Sequence, residues 1–397
     1  MKMIKLSFRK NLIYLVLLTT CYLLRRILSI IMGENYQINN SLILIFIMFL
    51  GEIIGGLLVY RYQISFLNKN KKDKNNLAYK FTIVKKEMKR ADNWPKIALL
   101  IYFASFFDLI EFFLFAIVIP NLAHLSNTST LRLYCIYTIE SSILCYYTLR
   151  FQIYKHQIFS LMIMGLCLSV IISLEIVYRS KDINLGKFIL SHLLVFCHFI
   201  LKSFTDVIER YLYDYDFLNP LLILMMEGIF GFITSLFYSL YQNPFKEIIT
   251  VYNDKKLWQF IILIFLLLLY SVLCAGLNIY KILCNVLYSP MTKSLSSYFL
   301  NSAFIIYYFI SEKYLNTAEE TNFLVFFINL ILSILIDFTA LIYNEIIILD
   351  FCGLAKDTHM GIAYRADVQD TEQINNILGE DDDYFYNINE SDDKDSI

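Results

Sequence analysis

Carboxylates and lysines recur inside stretches that are otherwise apolar. Asp108 and Glu111 stand three residues apart in SFFDLIEFFLF, so on a helix they share one face. Lys202, Asp206 and Glu209 lie in another such stretch, and Glu140, Glu227 and Asp337 each in their own. Lys281 and Lys293 flank Pro290 in LNIYKILCNVLYSPMTKSLSSYFLNSAFIIYYFISE (277–312), at the mouth of a strongly apolar segment. An ionisable side chain at mid-bilayer costs at least ~2.5 kcal/mol, so such groups belong to a cavity, an ion pair or a packed protein interior. Acids in that setting can carry protons or hold cationic groups; lysines can hold anions. Asp108, Glu111, Glu140, Asp206, Glu209 and Glu227 are the acidic candidates for substrate binding or coupling, Lys202, Lys281 and Lys293 the basic ones, and Asn301 a neutral one. The plain alternative for each is an internal ion pair or a capped helix end. That alternative is favoured for Glu209, Arg210 and Lys281, which stand near expected helix ends.

The setting for these groups is a membrane. Of 397 residues 58% are hydrophobic and only 17% charged, and mean hydropathy is +0.56, which excludes an ordinary soluble enzyme. Net charge is −1, so no polyanionic partner and no nucleic acid is implied. The eight cysteines occur singly, without a CxxC pair, so neither a disulfide framework nor a zinc site is indicated. His192 and His198 share an apolar run without ligand spacing and read as buried core histidines. No catalytic set and no cofactor motif is present, so no enzyme, cofactor or metal is expected.

A span needs about 20 apolar residues. Ten runs qualify: 12–32, 41–60, 97–119, 131–149, 157–177, 187–211, 221–241, 257–280, 289–310 and 322–348. Arg25 and Arg26 in the first either face the bundle interior or snorkel from a span that ends early. The stretch 61–96 carries eleven Lys or Arg against three Asp or Glu, which places it in the cytosol. The domain reading is a cytosolic N-terminus at 1–10, a five-helix half at 11–182, a second at 183–350 and an acidic, disordered cytosolic tail at 351–397. Sequons at Asn39 and Asn127 fall in expected lumenal loops, and Cys352 just past the last span is a weak palmitoylation signal. Gly51 with Gly55, and Gly228 with Gly231, are expected at close helix contacts.

The halves echo each other. Tyr137, Ser141, Tyr146 and Tyr147 are repeated by Tyr298, Ser302, Tyr307 and Tyr308 at one constant offset, with Asn301 in the place of Glu140. Five spans per half is odd, so a second copy would be inverted in the membrane. Inverted repeats around a mid-membrane site are a transporter architecture.

Several stretches resemble a known family. DVIERYLYDYDFLNPLLILMMEGIFGF (206–232), NIYKILCNVLYSPMTKSL (278–295), YNEIIILDFCGL (343–354) and Asp108 in its aromatic setting are similar to the drug/metabolite transporter superfamily. The nearest branch is solute carrier family 35, subfamily F, with its member-6-like proteins, related to nucleotide-sugar carriers of the EamA type. The resemblance runs from about Lys96 to Leu354. It implies an all-α membrane protein of ten transmembrane helices as a 5+5 inverted repeat, with cytosolic termini, a central cavity and an endomembrane location. It does not name a substrate, and the substrate signatures of nucleotide-sugar carriers are not visible.

The expected function is a carrier for a small organic solute by alternating access, proton-linked or exchanging. The partners are that solute and the lipid bilayer, with a homodimer allowed. Acids outnumber bases in the spans, which argues against a dianionic nucleotide-sugar despite Lys281 and Lys293. The alternatives are an amino-acid or drug exporter resembling chloroquine-resistance-type transporters, or a non-transporting scaffold or receptor that would depend on the tail.

Overall fold

The computed structural model describes residues 12–36, 38, 42–69, 93–114, 133–179, 185–239, 245–315, 323–349 and 353–358. These residues hold ten long helices: α1 (Leu12–Tyr36), α2 (Leu42–Lys69), α3 (Trp94–Phe113), α4 (Cys135–Thr148), α5 (Lys155–Arg179), α6 (Leu185–Asp214), α7 (Pro220–Ser239), α8 (Leu257–Leu287), α9 (Leu295–Leu315) and α10 (Phe323–Tyr343). A short helix, Lys246–Asp254, precedes α8, and a single turn, Pro290–Lys293, separates α8 from α9. No strand occurs among the described residues. Seven of the helices (α1, α2, α5, α6, α7, α8 and α10) are long and apolar enough to cross a membrane. Of the rest, α3 carries Lys96, Asp108 and Glu111, α4 has only 14 residues, and α9 opens on serines. The chain is an all-helical, multi-pass membrane protein. The N-terminal 1–10, most of the basic stretch 61–96, the sequons at Asn39 and Asn127, Cys352 and most of the acidic tail lie outside the described residues.

The bundle is apolar outside and polar inside. Leu58, Met162, Leu166, Phe237, Phe265, Leu268, Val272 and Ile331 are exposed on helix surfaces, while Glu52, Asp108, Asp206, Glu209, Glu227 and Lys293 are buried. Lipid offers no hydrophobic reward for bringing helices together, so close backbone approach and hydrogen bonds must do it. Glycines supply the approach where α2 is sandwiched. A Cβ on Gly228 of α7 would lie 2.9 Å from the Glu52 Cβ of α2, and one on Gly231 would enter the Phe49 ring. On its other side, Gly51 of α2 would meet the Ser271 carbonyl oxygen of α8 at 2.9 Å, and Gly55 the Ala275 Cβ at 3.0 Å.

Around that sandwich α1 packs on α8 and α9, α3 on α6 and α7, α4 on α6, and α5 on α10. The largest apolar core joins α4, α5, α6, α9 and α10 through Tyr137, Met164, Ile171, Phe199 and Tyr298.

Two helix limits differ from the sequence expectation for a physical reason. The eighth helix does not stop at residue 280 but runs to Leu287, carrying Lys281 into the bundle. It can do so because its polar groups are met there: Lys281 lies among carboxylates, and Asn285 donates to Glu209. Two of its last carbonyls, those of Asn285 and Val286, have no partner further along the helix and accept from the Arg210 guanidinium of α6. Pro290 then stops the chain from continuing as helix, and Ser289 caps the Pro290–Lys293 turn by accepting from the Thr292 amide at 3.0 Å. The expected ninth span thus begins with a separate turn. In the tail, Leu354–Asp357 forms a 3-10 turn packed on α5.

Gly51→Ala and Gly228→Ala are each expected to destabilise the bundle by about 1–3 kcal/mol, because the crowding atoms include backbone. Gly165→Ala, with nothing within 4 Å of its Cβ, is expected to be neutral or slightly stabilising. Melting temperatures of the three variants in one detergent check this, and equal losses at all three would remove the packing role of the sandwich glycines.

Candidate functional site

A cavity of about 200 Å³ lies at the centre of the bundle, lined by α1, α2, α3, α4, α6, α8 and α9. Its charged lining consists of Arg25 and Arg26 from α1, Glu52 from α2, Asp108 and Glu111 from α3, Lys202 from α6, Lys281 from α8 and Lys293 from the turn before α9. Arg25 and Arg26 therefore face the bundle interior. The cavity wall itself carries five cations against three carboxylates, the reverse of the balance counted along the spans. The excess acids stand behind the wall, at Asp206, Glu209 and Glu227.

Asp206 is the hub of the floor. It is 0% exposed, and α6 places it against three donors. The Lys293 ammonium and the Tyr137 hydroxyl both bond its Oδ2, and Lys281 Nζ lies 3.7 Å from its Oδ1. Lys281 also lies 3.4 Å from Asp108 Oδ2 and 3.6 Å from Glu209 Oε1. Asn285 Nδ2 donates to Glu209 Oε2 and to the Asp206 backbone oxygen, both at 2.8 Å. Two lysines are thus shared among three carboxylates in an interior where an unpaired charge is expensive.

The same floor fixes the Pro290–Lys293 turn. Tyr137 Oη lies 3.2 Å from the Pro290 carbonyl, and Thr138 Oγ1 donates to Ser294 at 3.0 Å and lies 2.6 Å from the Tyr298 hydroxyl. The ring of Tyr134 stands between Tyr137 and Tyr298, with centroids 5.4 and 5.5 Å away. The leading tyrosines of the sequence echo therefore meet at one place. The later members do not: Ser141 bonds Ser203, Ser302 bonds Asp337, and Tyr146, Tyr147 and Tyr307 are exposed.

At the α2–α3 side, Asn278 of α8 donates to Glu52 Oε1 at 2.6 Å. Glu52 Oε2 and Asp108 Oδ1 are buried with no hydrogen-bond partner. At the α6 side, Lys202 lies 3.8 Å from Glu111 and over the rings of Tyr134 and Tyr137. His198, one helix turn earlier, stands 3.6 Å from Glu111 and lines the cavity.

Of the sequence candidates, Asp108, Glu111, Lys281, Lys293 and Asn301 line the cavity, and Asp206 supports it from below. Glu140 and Glu227 do not line it. Glu140 is buried in α4 with neither carboxylate oxygen bonded, and Glu227 adjoins the α2–α7 contact of Gly228, its backbone oxygen accepting from Ser105 of α3 at 2.8 Å. Sequence reasoning did not single out Glu52, Tyr22, Tyr134, Tyr270 and Asn278 as site residues. Only Glu52 gave a signal, as an acid beside glycine in an apolar run. The others are polar or aromatic residues among many, and only three-dimensional convergence picks them out. Among the described residues no three His, Cys, Asp or Glu side chains converge to hold a metal ion. Comparison of the chain with protein-family models and with curated protein sequences gives no match.

Lys293→Met is expected to destabilise the protein by about 3–5 kcal/mol, because it strips a buried carboxylate of its closest cation. Adding Asp206→Asn is expected to recover part of that loss. A double-mutant cycle on thermal unfolding in detergent measures the coupling, and strict additivity would mean the pair does not interact.

Proposed function

We propose that this chain is a carrier that moves a small organic solute across an endomembrane by alternating access. The observation that carries the reading is a second cavity, of about 630 Å³, on the far side of the Pro290–Lys293 turn. It is lined by the link 150–154 between α4 and α5, by Leu287–Ser289 and by Tyr343–Ile346 after α10. Met291, Thr292 and Leu295 face that cavity, whereas Lys293, Ser296 and Ser297 face the central one. One helical turn, latched by Asp206, Tyr137 and Thr138, thus contributes to the lining of both cavities. A carrier needs a thin, reversible barrier of this kind beside its binding site.

The fold reading that goes with it is ten spans as a 5+5 inverted repeat, as in the drug/metabolite transporter superfamily that the sequence resembles. The helix packing supports it. Adding five to each helix number turns the α1–α8 contact into α6–α3, α2–α8 into α7–α3, α4–α6 into α9–α1, and α4–α5 into α9–α10. The α2–α7 and α5–α10 contacts map onto themselves. The contacts of α6 with α8, and of α7 with α6 and α8, have no counterpart of similar extent in the first half.

Proton linkage belongs to the reading. With Asp108, Asp206 and Glu209 all reaching Lys281, and Lys293 also on Asp206, binding or release of a solute charge changes how many protons the cluster can hold.

Reconstituted protein would be assayed for counterflow with a panel of labelled nucleotides, nucleotide-sugars, amino acids and amines. Asp108→Asn and Lys293→Ala are each expected to cut the active flux at least roughly tenfold, the loss of one charge-assisted contact. Deletion of residues after 358 is expected to spare it. Intact flux in both point variants would remove the site assignment, and a wild-type protein that moves nothing would turn the reading toward a scaffold.

A further inference from the structure

The central cavity has unmet bonding of opposite kinds on different walls. On the α1 wall, Arg25 lines the cavity, and among the described residues no carboxylate lies within 4.0 Å of its guanidinium. Its near neighbour is the Tyr22 ring, 5.8 Å away. On the α2 and α3 wall, Glu52 Oε2 and Asp108 Oδ1 have no hydrogen-bond partner, although the two residues are 3% and 7% exposed. Asn301 of α9, 4% exposed and also lining the cavity, has both its amide nitrogen and its amide oxygen unpartnered. α1 has no extensive packing contact with α2 or α3, so the cavity separates the two walls.

We infer that the cavity binds a zwitterion, its carboxylate on Arg25 and Asn301 and its ammonium on Glu52 and Asp108. The inference rests on the carrier reading and narrows its substrate class. A dianion would leave Glu52 without a cation, and a simple amine would leave Arg25 without an anion. A zwitterion satisfies both walls and brings no net charge into the interior, so it avoids most of the desolvation cost of a buried ion.

The test is equilibrium binding to the purified full-length protein in detergent. The probes are labelled L-leucine, L-glutamine and L-phenylalanine and the dipeptide glycyl-leucine. Each is compared with its N-acetyl form, which keeps only the anion, and its carboxamide, which keeps only the cation. At least one free zwitterion is expected to bind in the millimolar range or tighter, and both its capped forms are expected to bind roughly tenfold or more weakly. Arg25→Gln is expected to erase the penalty for removing the carboxylate, and Glu52→Gln that for removing the ammonium. If either variant does not fold, the wild-type comparison of capped and free forms decides alone. Capped forms that bind as tightly as their parents, or no binding of any free zwitterion, overturn the inference. Counterflow of a nucleotide or amine without zwitterion binding would overturn it and leave the carrier. Zwitterion binding without counterflow would do the reverse.

Discussion

The structure depends on keeping Asp206 charged and fully buried. Its donors come from three other places in the chain: Tyr137 of α4, Lys281 of α8 and Lys293 of the turn before α9. Removing one partner from a buried pair costs several kcal/mol, more than a typical apolar contact supplies, so these four elements hold one another in register. Consequences follow for chain paths. α8 has to run beyond Tyr280 to deliver Lys281 and Asn285, and the chain has to break at Pro290 so that Lys293 can turn back toward α6. Arg210, one turn beyond Asp206 on the same helix, closes the end of α8. A single buried carboxylate thus accounts for the most irregular backbone in the bundle.

The rest of the bundle is what lipid requires. The exposed surface is apolar, the polar groups are inside, and tight contacts are made by glycines where α2 lies between α7 and α8. That sandwich brings Glu52 to the cavity and Glu227 beside the α2–α7 contact. The acids beside glycines in the two segments therefore have different surroundings: Glu52 bonds Asn278 and faces open space, whereas Glu227 is enclosed by neighbouring helices.

Apolar runs of about 20 residues were readable from composition alone, and long helices overlap all ten of them, seven long and apolar enough to cross a membrane, because burial of backbone in lipid leaves helix as the default. Of the charges inside those runs, Asp108, Glu111, Lys281 and Lys293 line the central cavity. The sign of the cavity was not readable. Asp206 and Glu209 lie in the floor, Arg25 and Arg26 in the wall, and only packing tells floor from wall. Lys281 takes the internal ion pairs of its plain reading but does not stand at a helix end: hydropathy ended the span at the first lysine, while ion pairing carried the helix onward. Tyr134 and Asn278 are ordinary residues of apolar helices until neighbours from other helices arrive.

The failure of Glu140 to reach the cavity is itself informative. Its counterpart in the echo, Asn301, lines the cavity with both amide atoms unpartnered, whereas Glu140 is buried on α4 without a partner. Tyr137 and Tyr298, three residues before them, do converge, both around Tyr134. The two halves therefore agree at the latch and disagree one turn beyond it. An arrangement that obeyed its repeat everywhere would be symmetric about the membrane plane and open to both sides or to neither. Under the carrier reading, the difference between Asn301 and Glu140 marks which half is parted around the cavity and which is closed. Exchange of those roles would leave the contacts of α2 with α7 and of α5 with α10 in place, since each maps onto itself, while the Pro290–Lys293 turn would have to release Tyr137. The latch around Asp206 is then the element that both states share and that the transition between them must loosen.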